Sequence, residues 1–374
     1  MKGAFRIIKI KGISLYIHWT FLLLFGWIAL VNARTGNNVE QLSWSLFFIC
    51  AVFACVALHE FGHAFVASLF GIKAKNIVLL PIGGVASIEK FPDNPAQELA
   101  ISIAGPLVNI LIAAVLIIFI QPYKPFWEGQ PNASITHGHD LMYNLHLVNI
   151  GLAAFNLIPA FPMDGGRILR ALLGFRMNYV RATSIAATVG KIIAGFFIAF
   201  GILFYNIILP VIGIFIIISA STEEYYLRLK SLVKGVKLKD ILMYDYDSLQ
   251  SDLTVGQAME FMTTNHSKYF ILMNGAVPLG SINRIEIIKA IADKNYEQRI
   301  GNLVRENLQY LNGDDEVELV LEKLASHPDV IYPVMVNSKF AGVVNFNHVV
   351  EYLLLHGTYT ADYGRIKSLA GLLR

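Results

Sequence analysis

The sequence predicts an α-helical polytopic membrane domain, with six transmembrane helices and a re-entrant β-hairpin, joined to a cytoplasmic α/β domain. Composition is the first observation behind this. Of 374 residues, 55% are hydrophobic and only 15% charged, with a mean hydropathy of +0.54, against about 45–50% and about 25% in soluble globular chains. A disordered, fibrous or ordinary cytosolic chain is thereby excluded. Charge distribution is the second: residues 1–222 hold 14 Lys/Arg and 8 Asp/Glu, while the shorter stretch 223–374 holds 16 and 19. A membrane part is thus followed by a soluble part long enough for one compact core. The third is the spacing of apolar runs. A hydrocarbon core about 30 Å thick needs about 20 apolar residues of helix, and candidates fall at 14–33, 43–70, 99–120, 141–160, 183–204 and 207–221.

The expected division is a membrane domain over 1–222, a linker over 223–237, an α/β pair over 238–356 and a tail over 357–374. The N-terminal apolar run continues for a full span without a small-residue cleavage site, so it does not read as a signal peptide. Six spans place both termini on one side. Lys2, Arg6, Lys9, Lys11, Lys73, Lys75, Lys90, Arg167, Arg170, Arg176 and Arg181 flank that side, against Arg34 and Lys124 opposite. The positive-inside rule makes the termini cytoplasmic, and a prokaryotic cell membrane is the expected location. Positive loops also explain a pI near 8.6 without nucleic acid. Cys50 and Cys55 point to different helix faces and read as free thiols.

In the second span, Leu58-His59-Glu60-Phe61-Gly62-His63 is an H-E-x-x-H motif. Histidines at i and i+4 share one helical face and can share a metal. Imidazole nitrogen suits zinc, a catalytic zinc keeps three protein ligands, and Glu60 suits the general base for an attacking water. A polar face bonding neighbouring helices is the structural alternative, but three titratable groups so close together at membrane depth make it costly. The connection 71–98 holds Ile77–Ile88, apolar, too short to span and broken by Pro81 and Gly83-Gly84. It reads as a re-entrant hairpin whose strand edge can accept an extended peptide. Gly105-Pro106-Leu107-Val108-Asn109 opens the third span, where small residues suit close helix packing.

The fourth span ends in Asn156-Leu157-Ile158-Pro159-Ala160-Phe161-Pro162-Met163-Asp164-Gly165-Gly166-Arg167, irregular backbone of the kind that lines a buried site. Asp164 is the candidate third ligand, with a helix N-cap as its structural alternative. His137 and His139 lie in the outer loop, on the wrong side for the paired histidines. His18 and His146 read as structural. Asn156 could hold an oxyanion or orient a carbonyl, with an interhelical hydrogen bond as the alternative; for Asn149 structural bonding is preferred.

The motifs at 59–63, 105–109 and 156–167, in this order and in separate spans, resemble the site-2 protease family of intramembrane zinc metalloproteases. The resemblance implies His59, His63 and Asp164 as ligands of one zinc, Glu60 as the catalytic glutamate, Asn156 as its helper, and a membrane-associated hairpin beside them. It implies regulated intramembrane proteolysis of a transmembrane protein, such as a membrane-tethered regulator, within the lipid bilayer.

From residue 238 the chain repeats at an offset of 62, pairing Asp252 with Asp314, Val255 with Val317, Glu260 with Glu322, Gly280 with Gly342 and Asn283 with Asn345. The units, 238–298 and 299–356, resemble a tandem CBS pair, as in the sporulation-type branch of the family. CBS domains often bind adenosine nucleotides, which here points to Gly280, Asn283, Glu286, Gly342 and Asn345. A dimerisation or docking platform without nucleotide is the alternative, and a homodimer through the pairs is expected. The competing functions are a CBS-regulated ion or metal transporter and a catalytically inactive membrane scaffold. The spans show no inverted repeat, against the first, and the intact His59, Glu60, His63 and Asp164 argue against the second.

Overall fold

A computed structural model describes residues 3–10, 12–36, 38–72, 74–81, 83–88, 94–120, 138–303 and 310–356. His137 and the tail 357–374 lie outside them. The chain forms two compact units, Met1–Tyr225 and Tyr226–Arg374.

The first unit opens with β1 (Ala4–Ile10) and β2 (Ile13–His18), followed by α1 (Phe21–Arg34) and α2 (Val39–Leu69). A capping box of Asn38 and Gln41 starts α2, satisfying two of the donors every helix start leaves open. The hairpin of β3 (Ala74–Leu80) and β4 (Gly83–Ile88) follows. It is not isolated. The sheet order is β1-β2-β3-β4, with β2 parallel to β3 (Ser14 opposite Asn76, Ile17 opposite Leu79). Residues 14–18, expected to begin the first span, are therefore strand. Parallel pairing with a segment beyond α2 claims them, and a register shift between Arg6 and Ile8 of β1 interrupts the period-2 alternation that would announce that strand. Ile13, Ile77 and Leu79 pack on Phe21 of α1 and on Ala57 and Ala64 of α2, seating the sheet against the H-E-x-x-H helix.

α3 (Pro95–Phe119) is capped by Asn94 and crosses α2 closely. A methyl on Gly62 would lie 2.8 Å from Val108 Cγ2 and 3.0 Å from the Ala104 carbonyl, the close approach that small residues permit. α4 (Gly138–Asn156), α5 (Asp164–Gly174), α6 (Tyr179–Leu203) and α7 (Ile208–Leu232) complete the bundle. α2, α3, α6 and α7 are long and apolar enough to cross a membrane. α1, at 14 residues, rises only about 21 Å. α4 carries Asn144, His146, Asn149 and Asn156 and does not join the four. The count of six spans thus rests on these two weaker helices.

The second unit builds one pattern twice. β5 (Ser248–Gln250), α8 (Val255–Thr264), β6 (Tyr269–Asn274), β7 (Val277–Asn283) and α9 (Arg284–Ala292) are followed by β8 (Leu311–Asn312), α10 (Val317–Ser326), β9 (Tyr332–Val336), β10 (Lys339–Val344) and α11 (Phe346–His356). In each half the first strand runs parallel to the second and the third antiparallel to it. The starts of α10, β10 and α11 follow those of α8, β7 and α9 at the same offset as the sequence repeat. Leu249, Phe270, Leu272, Ile282 and Ile287 form the first core, and Ile271 and Met273 join Ile331 and Val343 between the halves.

Candidate metal centre

Two segments deliver one cluster. α2 carries His59 and His63 on adjacent turns, and the irregular stretch after α4 delivers Asp164. Two glycines make that delivery sterically possible. A Cβ on Gly165 would overlap the Leu157 and Ile158 carbonyls, and one on Gly166 would lie 2.7 Å from Ala160 C and Phe161 N, so Leu157–Met163 folds tightly over the start of α5. The N-cap of α5 is Met163, with no side-chain cap bond. Asp164 is the first helical residue, and its carboxylate is turned to the histidines instead of capping.

Asp164 Oδ2 lies 3.2 Å from both His59 Nε2 and His63 Nε2, and the two Nε2 atoms are 3.1 Å apart. Both histidines are buried and Asp164 is half-buried. The opposite ring nitrogens decide what this means. His63 Nδ1 lies 2.7 Å from the Ile101 carbonyl, which only accepts, so Nδ1 carries the proton and Nε2 is a bare lone pair. His59 Nδ1 donates in the same way to Asn109 Oδ1 at 3.2 Å. Two lone pairs and a carboxylate oxygen thus converge without a donor among them, which is repulsive unless a cation sits between. Ligand atoms about 2.0–2.2 Å from a tetrahedral zinc lie about 3.3–3.5 Å apart, close to the observed triangle. The residues fit a zinc ion. Among the described residues, no other group of three or more His, Cys, Asp or Glu is placed to hold a metal.

Glu60 is half-buried beside this triangle. A methyl on Gly84 of β4 would lie 2.7 Å from Glu60 Cγ and 3.1 Å from Oε1, so the terminal strand of the sheet passes along the glutamate. Asn156 ends α4, half-buried, and no hydrogen bond to its amide is present among the described residues. Asn149 is buried, donating to Leu145 O at 2.8 Å and Cys55 Sγ at 3.4 Å, a structural role. His146 bonds the Ala113 carbonyl and His18 bonds Thr20, likewise structural.

The G-P-L-V-N segment does more than the packing expected of it. A Cβ on Gly105 would overlap His63 Nε2 and lie 2.6 Å from His59 Nε2. Ile101, Gly105 and Asn109, at i, i+4 and i+8 of α3, all touch the imidazoles. The i+4 spacing of a polar residue after a glycine was the available signal. Arg170 is a correction of another kind. Counted among positive loop charges, it is 1% exposed and paired with Glu98 and Glu223.

The residues expected at a nucleotide site are occupied locally. Asn283 caps α9 by accepting from Ile285 N, and Glu286 accepts from Asn283 N, a capping box. Asn345 accepts from His348 N at the start of α11. Gly280 and Gly342 lie within β7 and β10. These contacts serve helix starts, which need acceptors whether or not an anion binds.

A model of peptidase family M50 matches residues 47–197. Zinc metalloprotease MJ0392 of Methanocaldococcus jannaschii is 35% identical over 94% of this chain and 96% of its own length. Among solved structures, a site-2 protease from M. jannaschii is 40% identical, covering 59% of this chain and 95% of its own, at a TM-score of 0.43. A CBS-domain protein from Agrobacterium tumefaciens is 18% identical, covering 31% and 98%, at a TM-score of 0.28.

Proposed function

The chain belongs to peptidase family M50, and on that premise we propose that it is an intramembrane zinc endopeptidase hydrolysing peptide bonds within or near a transmembrane segment of another membrane protein. The observation that carries this reading is the donor triangle of His59, His63 and Asp164, with Glu60 beside it, on a helix long enough to cross a bilayer. α2 ends at Leu69, so His63 lies about 9 Å along the axis from its end, which favours a site near one face of the membrane.

His59 and His63, through Nε2, and Asp164, through Oδ2, are the residues that would hold the zinc. When bound, the metal supplies Lewis acidity, polarising the scissile carbonyl and making water acidic enough to lose a proton near neutrality. Glu60 takes a proton at its carboxylate from the attacking water as the water oxygen bonds to the scissile carbonyl carbon, and returns it to the amine nitrogen as the C–N bond breaks. The Asn156 amide donates to the carbonyl oxygen as negative charge develops there. A helical substrate backbone is closed by its own hydrogen bonds and must unwind before attack. The outer edge of β4 offers the unwound segment an extended partner, and the close approach at Gly84 carries that edge past Glu60.

The C-terminal repeats, read as a CBS pair, serve as the regulatory module in this proposal, with adenosine-nucleotide binding and homodimerisation as their expected roles. The metal reading is tested without a substrate, by zinc content of the detergent-purified protein. About one zinc per chain in the wild type, lost in His63→Ala and Asp164→Ala, supports the ligand set. No zinc after reconstitution sinks it.

A further inference from the structure

Arg170 is the one long side chain of α5 that is fully buried; the helix's other buried positions are Gly165, Gly166 and Ala171. So short a helix with so little buried apolar surface is poorly located by burial alone. Its guanidinium supplies the missing constraints. Nε and Nη2 both donate to Glu98 Oε1 of α3, at 2.8 and 2.5 Å, and Nη1 donates to Glu223 Oε1 of α7 at 2.6 Å. The same group lies 4.8 Å from the ring centre of Tyr179 on α6 and 5.1 Å from that of Phe161, in the stretch leading into Asp164. One side chain therefore touches three other helices and the loop that delivers Asp164.

Glu98 is fully buried; its Oε2 has no hydrogen-bond partner among the described residues, the Tyr179 hydroxyl donates to Oε1 at 3.4 Å, and Arg170 supplies the countercharge. The fork is directional, and sliding α5 along α3 would strip hydrogen bonds from a charge with no water to replace them. Glu98 also shares α3 with Ile101, Gly105 and Asn109, the residues that set the two imidazoles.

We propose that Arg170 is the positioning residue of Asp164: by clamping α5 to α3, it registers the third donor against the same helix that orients His59 and His63. Through Glu223 the clamp also includes α7, which runs on to Leu232. The inference rests on Asp164 as a zinc ligand, and the test separates the two claims.

Zinc affinity is measured by chelator competition on the detergent-purified full chain, and melting of the chelator-stripped protein reports on the fold alone. His63→Ala tests the underlying ligand set. Wild-type protein without zinc, or a His63→Ala variant that binds like wild type, overturns that set and this inference with it. Arg170→Lys keeps the charge but loses the fork. The Arg170→Met/Glu98→Met pair leaves no fully buried carboxylate without its partner and so keeps the fold testable. The expected result is zinc binding about 10–100-fold weaker in both, with the stripped double variant melting like the wild type. Wild-type affinity in a stably folded double variant makes the network merely structural and overturns the proposal. Should both variants melt early, Glu223→Gln decides: weaker zinc binding at an unchanged melting temperature supports the clamp, and unchanged affinity overturns it.

Discussion

The metal centre and the two C-terminal helix starts both gather polar side chains near glycines, yet they use them oppositely. At Asn283, Glu286 and Asn345 every observed bond runs to nearby backbone. These acceptors serve the starts of α9 and α11. At His59 and His63 the inward-facing nitrogens have no donor, because their other nitrogens are already bonded to Asn109 and Ile101. Polar clusters of similar density in sequence are thus told apart by what remains unsatisfied after local bonding. Leaving buried acceptors open is costly, so a fold that converges three of them is built around a cation.

Substitutions can break or sharpen this contrast, and the largest effect is expected at Glu60. Glu60→Gln removes the base while leaving the triangle intact, so peptide hydrolysis should fall about 10²–10⁴-fold with zinc content unchanged. Turnover near wild type in a purified-substrate assay would remove Glu60 from the mechanism.

Gly105→Ala comes next. Its methyl would occupy space held by the His63 ring, so zinc binding should be lost as in His63→Ala, measured by metal analysis of the folded protein. Retained zinc would show that α2 and α3 can move apart more easily than their close packing implies.

Asn109 sharpens the comparison by separating shape from hydrogen bonding. Asn109→Leu keeps the volume and loses the acceptor for His59 Nδ1, and should weaken zinc binding about 10–100-fold. Asn109→Asp keeps the acceptor and should retain more of the affinity than the Leu variant. Chelator competition reads both, and the reverse order would make Asn109 a packing residue.

The smallest effect belongs to the other region. Asn283→Ala deletes a cap and should destabilise the C-terminal unit by about 1 kcal/mol in denaturant unfolding, without altering zinc content. A much larger loss, or one appearing only in the presence of ATP or AMP, would return Asn283 to a ligand-binding role.

Much of this protein is legible without coordinates, because the relevant signals are short-range. Apolar runs long enough to span a bilayer announce α2, α3, α6 and α7. The i, i+4 spacing places His59 and His63 on one face, and breakers around Asp164 mark backbone that cannot continue a helix. A constant offset between matching residues exposes the repeated unit of the C-terminal half. What depends on segments meeting across the chain is not legible. β2 looks like the start of a span because nothing in its own neighbourhood reveals β3, which follows the whole of α2, as its partner. Arg170 looks like a loop charge because Glu98 and Glu223 sit on helices far from it in sequence. Asn109 looks like packing because its partner His59 belongs to a different span. Residue type and local period determined which groups could do chemistry. Only the tertiary structure decided which of them are left open toward one another, since satisfaction of a buried polar group depends on every neighbour the fold brings to it.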